Sequence, residues 1–189
     1  WRIADESRRI TRLGEGAHST GVLQPAAIER TLAALAEFAE RARRAGAERL
    51  FAVATSAVRE AANQQEFLQA AAQRCQVDVQ VIDAQEEARL TLAGVQRGVG
   101  CVEGESLIFD IGGGSTEFTL ARGEQTVASV SCRLGVVTLT ERYLKRAPVV
   151  ANEFAELAAA IDADLDAVER RVKQQGAAAL IGTAGTITT

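Results

Sequence analysis

Residues 106–118 constrain the fold most: Ser106-Leu107-Ile108-Phe109-Asp110-Ile111, then Gly112-Gly113-Gly114, then Ser115-Thr116-Glu117-Phe118. An apolar strand ends at an aspartate, three glycines follow, and residues 115–121 alternate as a second strand, so the unit reads as a hairpin. Three glycines without side chains let backbone N–H groups close on something bulky and anionic. Asp110 and Glu117 stand on either side of that turn. Amides flanked by two carboxylates suit a phosphate that arrives with a divalent cation, which makes Asp110 and Glu117 candidate metal ligands. Two other phosphate loops are excluded. A P-loop needs Lys and then Ser or Thr after its last glycine, with a helix behind, but Ser115 and Thr116 follow Gly114 directly. A dinucleotide fingerprint needs a third glycine where Glu117 stands.

The chain has 189 residues, 47% hydrophobic and 24% charged, with a formal net charge of −4. That composition belongs to globular proteins of one large or two small domains. It carries no global electrostatic case for nucleic acid, and no apolar run approaches the roughly 20 residues of a membrane span. Cys75, Cys101 and Cys132 are odd in number and form no C-x-x-C, so they read as reduced thiols of a cytoplasmic protein. His18, the sole histidine, sits in a Gly-Ala-His-Ser-Thr-Gly loop and reads as solvated.

Residues 1–13 read as a strand pair turning at Asp5-Glu6-Ser7. Pro25 opens a helix with a buried stripe of Ile28, Leu32, Leu35, Ala39 and Ala42, and Gly46 stops it. Residues 50–54 read as a short buried strand leading into a helix start at Thr55-Ser56. Residues 63–75 read as a helix capped by Asn63, 77–82 as a strand, and Asp83 as the cap of a helix through Val95. Gly98, Gly100 and Gly104 form a loose connector. A third strand at 126–132, helices at 135–145 and 151–174, and a strand at 178–181 running into Gly182-Thr183-Ala184-Gly185-Thr186 complete the pattern. The expectation is two α/β domains of similar plan, 1–100 and 101–189, with a cleft between them.

Five motifs occur in order: Ala54-Thr55-Ser56-Ala57-Val58-Arg59-Glu60-Ala61-x-Asn63, Glu86-Glu87-Ala88-Arg89-Leu90, Asp110-Ile111-Gly112-Gly113-Gly114-Ser115-Thr116-Glu117, Leu134-Gly135, and Gly182-Thr183-Ala184-Gly185-Thr186. Together they closely resemble the exopolyphosphatase / guanosine-pentaphosphate phosphohydrolase (Ppx/GppA) family of the actin-like, ribonuclease H-like superfold, over essentially the whole chain. The resemblance implies a two-domain α/β fold of mixed sheets flanked by helices. It also implies a Mg²⁺-dependent hydrolase that releases terminal phosphate from inorganic polyphosphate or guanosine pentaphosphate in the cytoplasm, as a homodimer in the full-length protein. Family members begin with a strand and a first phosphate loop, so the chain is expected to be a fragment that lacks that loop and is catalytically silent alone.

The residues divide the chemistry. The amides of Gly112, Gly113, Gly114, Ser115 and Thr116 are expected to bind phosphate. Ser56, at a strand-to-helix junction, can offer a hydroxyl and helix amides to another phosphate, with Arg59 supplying a fork to its oxygens. The residues do not by themselves separate Glu86 from Glu87 as general base; the resemblance assigns the role to Glu87. Arg89, one helical turn from Glu86, suits an ion pair along the helix. Gly185 and Thr186 are expected to line the cleft. The rival readings are a kinase of the same superfold, which shares the glycine turn but not the Glu-Glu-Ala-Arg or Thr-Ser-Ala-Val-Arg motifs, and a non-catalytic nucleotide-binding protein, which would release no phosphate.

Overall fold

A computed structural model describes residues 3, 5–100, 103–172 and 178–185. The chain divides into two compact units, the first ending at Ile82 and the second beginning at Asp83. Packing thus divides the chain eighteen residues before the expected boundary at residue 100, because the helix that follows Asp83 buries its apolar stripe on the second unit's sheet.

In the first unit, α1 (Ala17–Thr20) precedes α2 (Pro25–Arg44). Pro25 supplies the helix-ready φ at the start of α2. Its stripe of Ile28, Leu32 and Ala39 packs with Leu23, Val58 and Phe67 in one core, and Leu35 packs against it half-buried. His18 lies exposed in α1, one helical turn rather than a loop. β1 (Ala52–Ala54) pairs in parallel with β2 (Val79–Val81) as a two-stranded sheet. Between them run α3 (Ser56–Arg59) and α4 (Gln64–Ala70), which continues as a π turn over Ala71–Cys75. The run at 50–54 is only half a buried strand. Ala52 and Ala54 face the core, whereas Phe51 is 88% and Val53 53% exposed. Successive strand residues face opposite ways, and here one face is covered.

Two other expectations fail. Residues 3–12 form no ladder among the described residues. This stretch reaches α2 instead: Arg9 pairs with Glu37 at 2.8 Å, Asp5 with Arg41 at 2.8 Å, and the Thr11 backbone carbonyl accepts from Arg30 at 3.0 Å. Charged side chains find partners there, but the backbone finds no strand to pair with. Asn63 does not cap α4 with its side chain. Its Oδ1 accepts the Leu23 N–H at 2.8 Å and its Nδ2 donates to the Leu23 carbonyl at 3.0 Å, tying the entry of α2 to the start of α4.

In the second unit, Asp83 caps α5 (Ala84–Val99) by accepting the Glu86 N–H at 2.8 Å. β3 (Glu105–Ile111), β4 (Thr116–Arg122) and β5 (Gln125–Cys132) form an antiparallel meander. After α6 (Val136–Tyr143) and α7 (Ala151–Arg171), β6 (Ala179–Thr183) joins β3 in parallel, giving the order β5-β4-β3-β6. Leu92 of α5 packs on Ile108 and Ala121. Val168 of α7, with Val172 just beyond it, packs on Leu120. Because β4 lies between those layers, Thr116, Glu117, Thr119, Leu120 and Ala121 are all buried, and its polar residues must find partners inside. Mixed α/β with helix-flanked sheets is thus the observed class, as expected. No helix of the described residues is long and apolar enough to cross a membrane.

Candidate active site

The glycine turn is a hairpin connection, as its sequence implies. Asp110 pairs with Glu117 and Ile111 with Thr116 immediately before it. The Gly112 N–H donates to the Ser115 carbonyl at 2.9 Å and closes the turn. Gly112 is therefore not one of the outward donors expected from the sequence. The remaining geometry comes from α6. The first amides of a helix have no acceptor within it. Those of Val136 and Val137 donate to the Gly112 and Gly113 carbonyls at 3.0 and 2.9 Å, and Thr138 Oγ1 donates to the Gly114 carbonyl at 3.2 Å. The turn's carbonyls are thus held on the helix side, while no hydrogen bond among the described residues takes up the N–H groups of Gly113, Gly114 or Ser115. Gly135 makes the clamp sterically feasible: a Cβ there would meet the Gly113 oxygen at 2.3 Å. The Thr116 hydroxyl donates to the Leu134 carbonyl at 3.0 Å, so its side chain braces the turn.

The carboxylates lie in a row across the sheet. Ser131 pairs with Glu117, Glu117 with Asp110, and Asp110 with Thr183, one residue from each of β5, β4, β3 and β6. Directly paired residues project to the same face, which here is the face covered by α5. Glu87 and Thr91, one turn apart on that helix, share one side of it. Thr91 Oγ1 approaches Asp110 Oδ2 at 3.4 Å, and Ser131 Oγ donates to Glu117 Oε1 at 2.8 Å. Glu117 is 5% exposed. Burial pushes its carboxyl above the ordinary carboxylate range; hydrogen bonds from Ser115 and Ser131 oppose that, and the negative charges of Glu87 and Asp110 add to it. The charges of Glu87 and Asp110 therefore both reach Glu117 beside the turn. Thr91 and Ser131 were not among the residues that sequence reasoning selected, whereas Thr183 lies in the Gly182–Thr186 turn and Gly135 at the start of α6 in the Leu134-Gly135 motif.

Glu86 and Glu87 separate cleanly. Glu86 takes a two-pronged bond from Arg89 at 2.7 and 2.6 Å at the surface, which holds its carboxyl below the ordinary range. Glu87 is half-buried, and its negative charge acts on Glu117. A groove of about 1470 Å³ runs between α5 and β5 on the Glu86–Arg89 side. Ser131 is in its wall, but Glu87, Asp110 and Glu117 are not, so the groove is not the carboxylate site.

Ser56 and Arg59 belong to the first unit. Ser56 Oγ donates to Glu60 at 3.1 Å, and Arg59 Nη1 donates to the Ile82 carbonyl at 2.8 Å. Gly185, past the end of β6, is exposed, and Thr186 lies outside the described residues.

The model of the Ppx/GppA phosphatase family matches residues 2–189. The chain belongs to the Ppx/GppA family. Among Ppx/GppA relatives, Exopolyphosphatase 2 of Mycobacterium tuberculosis is 37% identical over 186 residues, 96% of this chain and 58% of that protein. Guanosine-5'-triphosphate,3'-diphosphate pyrophosphatase of Photobacterium profundum is 37% identical over 183 residues, 95% of this chain and 36% of that protein. The crystal structure of an exopolyphosphatase from Cytophaga hutchinsonii superposes with a TM-score of 0.86 at 30% identity, over 93% of this chain and 56% of that one. The chain thus spans under three fifths of each relative.

Proposed function

We propose that the protein containing this chain is a Mg²⁺-dependent phosphohydrolase that removes the terminal phosphate of inorganic polyphosphate or of guanosine pentaphosphate. The observation that carries the reading is the meeting of the Glu87, Asp110 and Glu117 charges beside a turn whose Gly113, Gly114 and Ser115 N–H groups have no acceptor among the described residues. Family membership supports it, since the two relatives above are named for these two substrates.

Phosphoanhydride hydrolysis needs an aligned water, a base for it, and fixed donors on the transferred phosphoryl. The amides of Gly113, Gly114 and Ser115 are the donors, held rigid by α6; one such donor is worth about 10²–10³ in rate. Glu87 takes the water's proton as its oxygen bonds to phosphorus, and the broken bond's electrons leave with the bridging oxygen. Ser56 and Arg59 bind a second phosphate in this reading.

Asp110 and Glu117 suit Mg²⁺: both are hard oxygen donors, and burial, with the charges of Glu87 and Asp110 adding to it, disfavours the bare Glu117 anion that a cation would compensate. Among the described residues no group of three or more His, Cys, Asp or Glu side chains is placed to hold a metal ion. Mg²⁺ does not require one, because it keeps waters and binds substrate phosphates besides one or two carboxylates. When bound it neutralises charge on the phosphates.

The test is phosphate release from both substrates. Glu87→Gln is expected to lower kcat by about 10²–10⁴ with KM little changed, and Glu86→Gln by no more than a few fold. Equal losses at the two positions would remove Glu87 from the role of base.

A further inference from the structure

Four residues make up the polar row across the sheet, and three have partners. Ser131 donates to Glu117 at 2.8 Å. Asp110 accepts from Thr91, at 3.4 Å. Thr183, at the other end, pairs with Asp110 across the β3–β6 ladder. Its Oγ1 is buried, yet has no hydrogen-bond partner among the described residues. A buried hydroxyl without a partner destabilises a fold, and valine would fill the same space without that cost. The residue beside it has the opposite deficit. A carboxylate has about four acceptor sites, and the Thr91 contact is at the long limit of a hydrogen bond. A donor lacking an acceptor thus stands next to an acceptor short of donors, on one face of one sheet.

We infer that Thr183 is a positioning residue for Asp110: its hydroxyl donates to the Asp110 carboxylate when a divalent cation is bound, and fixes which oxygen the cation meets. The inference rests on the reading of Asp110 as a cation ligand. The two side chains are neighbours on one face of the sheet, and a carboxylate rotates easily about its last torsion, so a turn of the Asp110 carboxylate supplies the acceptor that Thr183 lacks. Ser131 is the same device at Glu117, already engaged.

Calorimetric titration of the protein with Mg²⁺ tests this, with Thr183→Val, Thr183→Ser and Asp110→Asn in parallel and thermal unfolding as a second readout. The expected result has three parts. Thr183→Val binds Mg²⁺ about tenfold more weakly, as for loss of one hydrogen bond to a charged group. It is at least as stable as wild type without Mg²⁺, and gains less stability from it. Thr183→Ser binds like wild type. If Thr183→Val does not fold, Thr183→Ala takes its place. Wild-type affinity in the hydroxyl-free variant, with Asp110→Asn weakened, overturns the inference and leaves Asp110 as a ligand. Equal weakening in the valine and serine variants overturns it as well, because packing and not the hydroxyl is then responsible. Unchanged affinity in Asp110→Asn overturns both the inference and the reading beneath it.

Discussion

Glu117 is a carboxylate that the fold makes hard to ionise. It sits on the central strand of a sheet covered on both faces, and burial outweighs the hydrogen bonds from Ser115 and Ser131. The consequence for stability has a definite sign. In the unfolded chain Glu117 releases its proton near the ordinary glutamate value of 4.5, while in the folded chain it holds the proton to higher pH. Between those two points the folded state binds more protons, so stability falls as pH rises through the window and stays lower above it. Glu117→Gln removes the dependence. In the presence of a chelator, the denaturant midpoint of the glutamine variant is expected to gain on wild type as pH rises from about 4 toward neutrality. A gap that narrows over that range would mean that Glu117 is stabilised as an anion. Sequence could nominate Glu117, because a carboxylate after three glycines is conspicuous, but not its partner. Counting back from the Arg122/Gln125 pair puts Val130 opposite Glu117. The irregularity between Leu120 and Ala121 shifts the register by one and brings Ser131 there instead. A one-residue shift exchanges the two faces of a strand, so the pairing depends on a bulge with no sequence signature.

At the scale of elements, the working unit is the hairpin together with the start of α6. Leu134-Gly135 was legible as a motif, but its physical meaning was not. Gly135 has φ −74°, open to any residue, so glycine is required there for space and not for conformation. The helix amides can reach the turn's carbonyls only because its backbone lies against theirs. Gly135→Ala places a methyl within 2.3 Å of the Gly113 oxygen and the Gly114 carbonyl carbon, both backbone atoms that cannot rotate away. The variant is expected to lose about 1–3 kcal/mol or more in denaturant unfolding, as overpacked sites do, and to lose phosphate binding at the turn even under conditions where it remains folded. Gly98→Ala is the control, since nothing lies within 4 Å of its added Cβ. Equal stability of the two variants would mean that α6 does not hold the turn. The elements themselves were mostly legible, because long periodic stretches such as α2, α5 and α7 carry their own signal. Residues 3–12 and 50–54 misled for one reason. Composition indicates that a stretch can be a strand, but not whether another strand or a covering layer is there to receive it.

For the whole molecule, the candidate residues divide between two units: Ser56 and Arg59 in the first, and Glu87, the glycine turn and the carboxylate row in the second. Asp83 was legible as a cap, but the sheet that α5 joins was not, since a stripe of Leu92 and Val95 suits either. The division makes the ligand roles separable by hydrogen exchange. On the proposed ligand roles of Asp110 and Glu117, Mg²⁺ alone is expected to slow exchange along β3 and β4 and to leave residues 56–61 unchanged. A short polyphosphate added with Mg²⁺ tests the two proposed sets of phosphate donors separately. Protection is then expected at Gly113, Gly114 and Ser115, and also over α3, where the Glu60 N–H already donates to the Ser56 carbonyl at 3.0 Å. Arg59→Ala is expected to abolish only the second effect, because a lost guanidinium fork weakens one phosphate contact and leaves the glycine turn intact. If polyphosphate protects the second unit alone, the Ile82 carbonyl is the contact that explains Arg59, and its role is to hold the end of β2.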